Sequence, residues 1–127
     1  MQAIIVMARI LVADDEFVLA AWLEELLLGE GHEVSVASSG DAALEGARSF
    51  MPDLLVTDFM MPGLTGSELA TAIRSDARMR QMAIVLVSGA QGALARQRPD
   101  LFDAVLDKPY TFEVLLSEIT RLLARRA

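Results

Sequence analysis

Cysteine is absent from this 127-residue chain, which excludes disulfides, a thiolate nucleophile and any zinc–thiolate centre. Positive charge is also scarce. Eleven basic residues face eighteen acidic ones, for a net charge of −7, and such a surface argues against a nucleic-acid partner. The only adjacent basic pair, Arg125 and Arg126, reads as the solvated end of a last helix, where cations favour the helix dipole. No apolar run approaches the roughly 20 residues that cross a bilayer, and the opening MQAIIVMAR lacks a basic stretch ahead of its apolar residues. A soluble, cytoplasmic protein without membrane attachment is expected. Lysine itself is nearly missing. Ten of the basic residues are arginine and the single lysine is Lys108.

What is present is apolar side chain, 54% of the sequence, enough for one domain of this length to bury its own core. Short apolar runs alternate with segments of helical period. RILVA (Arg9 to Ala13) predicts a first strand, and Phe17 to Leu28, stopped by Gly29 and Gly31, a first helix. Val34 to Ala37, Leu54 to Thr57, Ala83 to Val87 and Ala104 to Leu106 predict four further strands. Helices are expected over Asp41 to Arg48, from Gly66 or Ser67 to Arg74, and after the capping Thr111. Strands alternating with helices imply a parallel sheet covered on both faces, with a ligand site outside the carboxyl ends of the strands.

Those ends carry unusual residues. Asp14, Asp15 and Glu16 follow the first strand, Asp58 the third, Ser88 the fourth, and Lys108 with Pro109 the fifth. Singly, each has an ordinary use as a cap, a turn residue or a solvated charge. Together at one sheet edge they form a constellation. Converging carboxylates repel unless a cation joins them, and oxygen-only ligands without nearby histidine or cysteine suit Mg²⁺, with Mn²⁺ fitting nearly as well. Asp58, a carboxylate ending a buried strand, is the natural nucleophile toward phosphorus. Ser88 and the compact ammonium of Lys108 are placed to bind phosphoryl oxygens.

In order and combination, ILVADDE (Ile10 to Glu16), LLVTDFMMPGLTG (Leu54 to Gly66), VLVSGA (Val85 to Ala90) and LDKPY (Leu106 to Tyr110) resemble the CheY-like receiver domain of two-component response regulators. The resemblance spans about residues 8 to 124. It implies a flavodoxin-like α/β three-layer sandwich with a five-stranded parallel sheet in the order 2-1-3-4-5. It further implies that Asp58 accepts a phosphoryl group from a sensor histidine kinase or a histidine phosphotransfer protein. Asp15 would bind Mg²⁺ directly, Asp14 largely through water, and the Met60 backbone carbonyl would complete the protein ligands. Ser88 would hydrogen-bond the phosphoryl group and shift with it, Lys108 would pair with it, and the Lys108–Pro109 peptide would be cis. Glu16 is assigned no direct metal contact.

Two departures from that family stand out. Val105 occupies the place of the usual switch aromatic, and the segment from Ser88 to Lys108 is short and holds Gly89, Gly92 and Pro99, so a short, shifted or mobile fourth helix is expected there. His32 reads as a plain loop histidine, Trp22 as a partly buried packing residue, and Met51, Met60 and Met61 as gap fillers. The expected whole is a phosphoacceptor and not an enzyme beyond its own aspartyl phosphorylation and dephosphorylation, monomeric or weakly dimeric, signalling to an unknown downstream protein. Residues 1–127 are read as one receiver domain without an output domain, residues 1–7 being an N-terminal extension whose first six residues are expected to be dispensable. The alternatives are a receiver excised from a larger regulator or hybrid kinase, and a Mg²⁺-dependent phosphatase with an aspartyl nucleophile. The second would need an acid/base Asp where Met60 stands.

Overall fold

The computed structural model describes residues 7–126. The extension assigned to the start of the chain therefore lies, but for Met7, outside the described residues. Five strands, β1 (Arg9–Ala13), β2 (Glu33–Ala37), β3 (Leu54–Asp58), β4 (Ala83–Ser88) and β5 (Ala104–Asp107), alternate with five helices. The helices are α1 (Phe17–Gly29), α2 (Gly40–Phe50), α3 (Gly66–Ser75), α4 (Gly92–Ala95) and α5 (Phe112–Arg126). All neighbouring strands pair parallel in the order β2-β1-β3-β4-β5, so the expected flavodoxin-like α/β sandwich is the observed fold.

The central strands β3 and β4 are buried at every residue, as continuous apolar runs covered from both sides should be. Alternate residues serve two separate cores. Leu11, Leu55, Ile84 and Leu86 join Leu69 and Ile73 of α3, whereas Ile10, Val12, Val56 and Val85 join Leu23 and Leu27 of α1 with Leu115 and Ile119 of α5. This is the period-two alternation of a strand expressed twice.

Local chemistry sets the helix ends. Thr65 and Glu68 close a reciprocal capping box on α3, at 3.2 and 2.9 Å, and Thr111 Oγ1 accepts the Val114 amide at 3.2 Å at the head of α5. Gly66 is needed where it stands. A Cβ there would lie 2.6 Å from the Asp58 carbonyl oxygen, so only glycine lets α3 start this close to the end of β3. Among the described residues, no helix is long and apolar enough to cross a membrane.

Three readings of single residues change. His32 is no plain loop histidine: its ring is buried and Nδ1 accepts the Ala8 amide at 3.1 Å, because the chain ahead of β1 has an N–H to satisfy there. Met61 does fill the core, but Met60 and Met51 are exposed, the latter ending α2 in the left-handed region at φ 50°.

Candidate phosphoryl-acceptor site

β3 delivers Asp58 to the carboxyl edge of the sheet, where the order of strands diverges on either side of β1 and β3. Its carboxylate is 9% exposed and doubly held. Oδ1 accepts the Phe59 amide at 2.8 Å, and Oδ2 receives the Lys108 ammonium at 3.1 Å. The preceding Thr57 is fully buried and donates its hydroxyl to the Asp58 carbonyl at 2.8 Å, so no buried side-chain polar atom of this strand end is left unpaired.

Lys108 reaches Asp58 because its own amide donates to the Ser88 carbonyl at 2.8 Å, continuing the β4–β5 ladder one step past Asp107, and the Lys108–Pro109 peptide is cis. Burial alone pulls the ammonium's pKa down. The hydrogen bond and charge of Asp58, with the charges of Asp14 and Glu16, outweigh it, and the net direction is up, so Lys108 stays protonated.

Asp14 also lies beside Asp58. Its amide donates to the Ala37 carbonyl at 3.0 Å and its Oδ1 accepts the Glu16 amide at 2.8 Å, an Asx turn that bends the loop back over the strand ends. Burial pushes its carboxyl above the ordinary range against the opposing Glu16 amide, and the nearby Asp58 charge pushes the same way.

Oxygens of Asp14, Glu16 and Asp58 lie within 4.8 Å of one another, and Glu16 also sits 3.8 Å from the Lys108 ammonium. Glu16, to which the sequence assigned no metal contact, joins this cluster, while Asp15, exposed like Glu16, lies outside it in this structure. An all-oxygen donor set with more negative charge than one ammonium can offset suits a hard divalent cation.

Ser88, at the end of β4, is completely buried. Its hydroxyl bonds Gln91, accepting that residue's amide at 2.8 Å and donating to its side-chain oxygen at 3.0 Å. Gln91 was not legible as a site residue, since a lone amide side chain carries no motif. Val105 is half-buried against the α3 side of the sheet, while Tyr110 packs on the opposite side. The Tyr110 phenol is pushed up to about 12, by burial first and then by the charges of Asp14 and Asp58. Trp22, partly exposed, meets the Phe112 ring edge-on at 6.1 Å and helps line a groove of about 410 Å³ with Glu16, Leu19, Lys108, Pro109 and Tyr110.

A five-stranded parallel sandwich with an acidic loop, a strand-terminal aspartate and a lysine at one edge defines a receiver. The model of the response regulator receiver domain family matches residues 10–120, and the chain belongs to that family. The chain is similar to the DNA-binding response regulator MtrA of Mycobacterium tuberculosis, 41% identical over 98 residues, which are 77% of this chain and 38% of that one. It is also similar to the response regulator PleD of Caulobacter vibrioides, 38% identical over 85 residues, 67% of this chain and 19% of the other. It thus spans well under half the length of these curated relatives. Among solved structures, the chemotaxis response regulator CheY4 of Vibrio cholerae superimposes with a TM-score of 0.84 at 27% identity, covering 92% of this chain and 99% of that one.

Proposed function

We propose that this receiver accepts a phosphoryl group on Asp58 from a phosphohistidine of a sensor histidine kinase or a histidine phosphotransfer protein. The observation that carries this reading is the Asp58 carboxylate, rigid at the end of a buried strand and 3.1 Å from the chain's single lysine. An O–P bond forms from the carboxylate as the bond from phosphorus to the donor's imidazole nitrogen breaks, the nitrogen keeping the electron pair. Lys108 neutralises phosphoryl oxygens, and the Ser88 hydroxyl donates to one of them.

Asp14, Asp15, Asp58 and the Met60 carbonyl would hold Mg²⁺, or Mn²⁺ in its place, with Glu16 near enough to join them. When bound, the ion supplies positive charge against the phosphoryl oxygens and relieves the repulsion among the carboxylates. On this reading the protein is a phosphoacceptor that assists only its own phosphorylation and dephosphorylation. It works in the cytoplasm as a monomer or weak dimer, and hands its signal to another protein rather than to nucleic acid or membrane.

A second arrangement is favoured by the relatives' lengths: in MtrA the matched residues are 38% of the chain, so this receiver would be the input part of a longer regulator. The mass of the protein in its native cell separates the two. For the chemistry, incubation with Mg²⁺ and acetyl phosphate should add one phosphoryl group by intact mass, and Asp58→Asn or EDTA should abolish it. Undiminished labelling of Asp58→Asn would overturn the assignment.

A further inference from the structure

Building on the phosphoacceptor reading, the geometry points to Gln91 as a positioning residue: its side chain competes with the phosphoryl group for the Ser88 hydroxyl and so sets how readily Asp58 is phosphorylated. The Ser88 hydroxyl owns one proton. In this structure that proton is given to Gln91 Oε1 at 3.0 Å, while Gln91's own amide occupies a lone pair of the same oxygen at 2.8 Å. Asp58 meanwhile bonds Phe59 and Lys108. A hydroxyl with its proton committed cannot donate to a second acceptor. Binding of a phosphoryl oxygen by Ser88 therefore requires release of Gln91.

The surroundings suit a release. A Cβ at position 89 would meet nothing within 4 Å, so the backbone next to Ser88 has open space beside it. Beyond Gln91 the helix α4 has only four residues, and Leu94 on it is 69% exposed. Ala95 is the one apolar side chain by which α4 enters the core, and just beyond it the Arg96 guanidinium donates to both oxygens of Asp107, at 3.2 and 2.8 Å, and to the Val105 carbonyl at 3.2 Å. Gln91 also lines a groove of about 350 Å³ with Phe59, Ser67, Leu94 and Arg98, into which a freed amide can turn. Val105 has no ring that could respond to a shift of Ser88.

The test is the affinity for beryllofluoride, a phosphoryl mimic, measured by calorimetry with Mg²⁺ on the full chain. Removing a neutral competing hydrogen bond in Gln91→Ala should tighten binding about two- to tenfold. Gln91→Glu, whose carboxylate holds the hydroxyl more strongly, should weaken it. Gln97→Glu puts the same charge on the same groove and should change affinity far less. In a Ser88→Ala background the Gln91→Ala gain should vanish. A merely structural Gln91 would give losses in both variants, and that result, or an unchanged affinity in Gln91→Ala, overturns the competition. Failure of the wild-type chain to bind beryllofluoride in an Asp58-dependent way would instead overturn the phosphoacceptor reading.

Discussion

The Ala8 amide rests on an acceptor that exists only while His32 is neutral. Burial lowers the pKa of this imidazole from its ordinary 6.5, with the Glu30 charge opposing in part. The unfolded chain therefore binds the proton more readily, and stability rises with pH across the window between the two values. The contribution is complete above 6.5 and is lost as pH falls below it. His32→Asn, which keeps an acceptor near Nδ1 and cannot titrate, should flatten the dependence of the urea midpoint on pH in that window. An unchanged slope would place the pH dependence elsewhere. Lys108 makes the opposite demand, for a compact charge: its ammonium fits between Asp58 and Glu16 at 3.1 and 3.8 Å, where a planar guanidinium has no matching place. Lys108→Arg should take up beryllofluoride at least tenfold more weakly, and a fully responsive Lys108→Arg would remove the argument from the lone lysine. Asp58 and Lys108 were legible because a strand-terminal carboxylate and a solitary lysine are rare types in telling places. The Ser88–Gln91 bond and the convergence of Glu16 on Asp14 were not, since both depend on how a loop bends.

Arg74, on the last turn of α3, shows the same limit at the scale of elements. From sequence it is one more charge near a helix end, where the dipole favours it. In the structure its guanidinium donates to the carbonyls of Arg80, Met82 and Leu101 and to the Asp103 carboxylate at 2.9 Å, whose oxygen also accepts the Ile84 amide. One side chain thus ties α3 to the starts of β4 and β5. Arg74→Ala leaves several partly buried acceptors short of donors and should cost about 1–3 kcal/mol in denaturant unfolding. Arg74→Lys should recover little, because one ammonium cannot span three carbonyls on two separate segments. A loss below ~1 kcal/mol would show that water replaces it. Strands and the other helices were legible to within a few residues, since apolar runs and Gly, Pro or Thr punctuation mark their ends. The short α4 was foreseen from Gly89, Gly92 and Pro99, but the Arg96–Asp107 pair that holds it joins residues eleven apart and leaves no pattern to read.

For the whole molecule, the sheet separates a side built by α1 and α5 from a side built by α2, α3 and α4, and the site at its carboxyl edge touches both. A signal can leave only where the structure yields at low cost. The α1 and α5 side offers little: Leu23, Leu27, Leu115 and Ile119 are buried in one cluster with residues of β1, β3 and β4, and a packed core resists small displacements. The other side ends in the four-residue α4, which buries Ala95 as its one apolar side chain and is otherwise held by the Ser88–Gln91 bond and an exposed ion pair whose own contribution is small. Beryllofluoride should therefore change amide hydrogen exchange most strongly across Gly89 to Asp100, with α1 and α5 nearly silent. Val105→Ala should leave that pattern largely intact, because a β-branched side chain with one stiff torsion and no polar tip carries no rotameric signal. Tyr110 supplies the competing route, an aromatic five residues later, packed on the α1 and α5 side and electrostatically coupled to Asp14 and Asp58. Should β5 and Tyr110 change exchange while Gly89 to Asp100 does not, the aromatic has taken over the switch and the loop route is wrong.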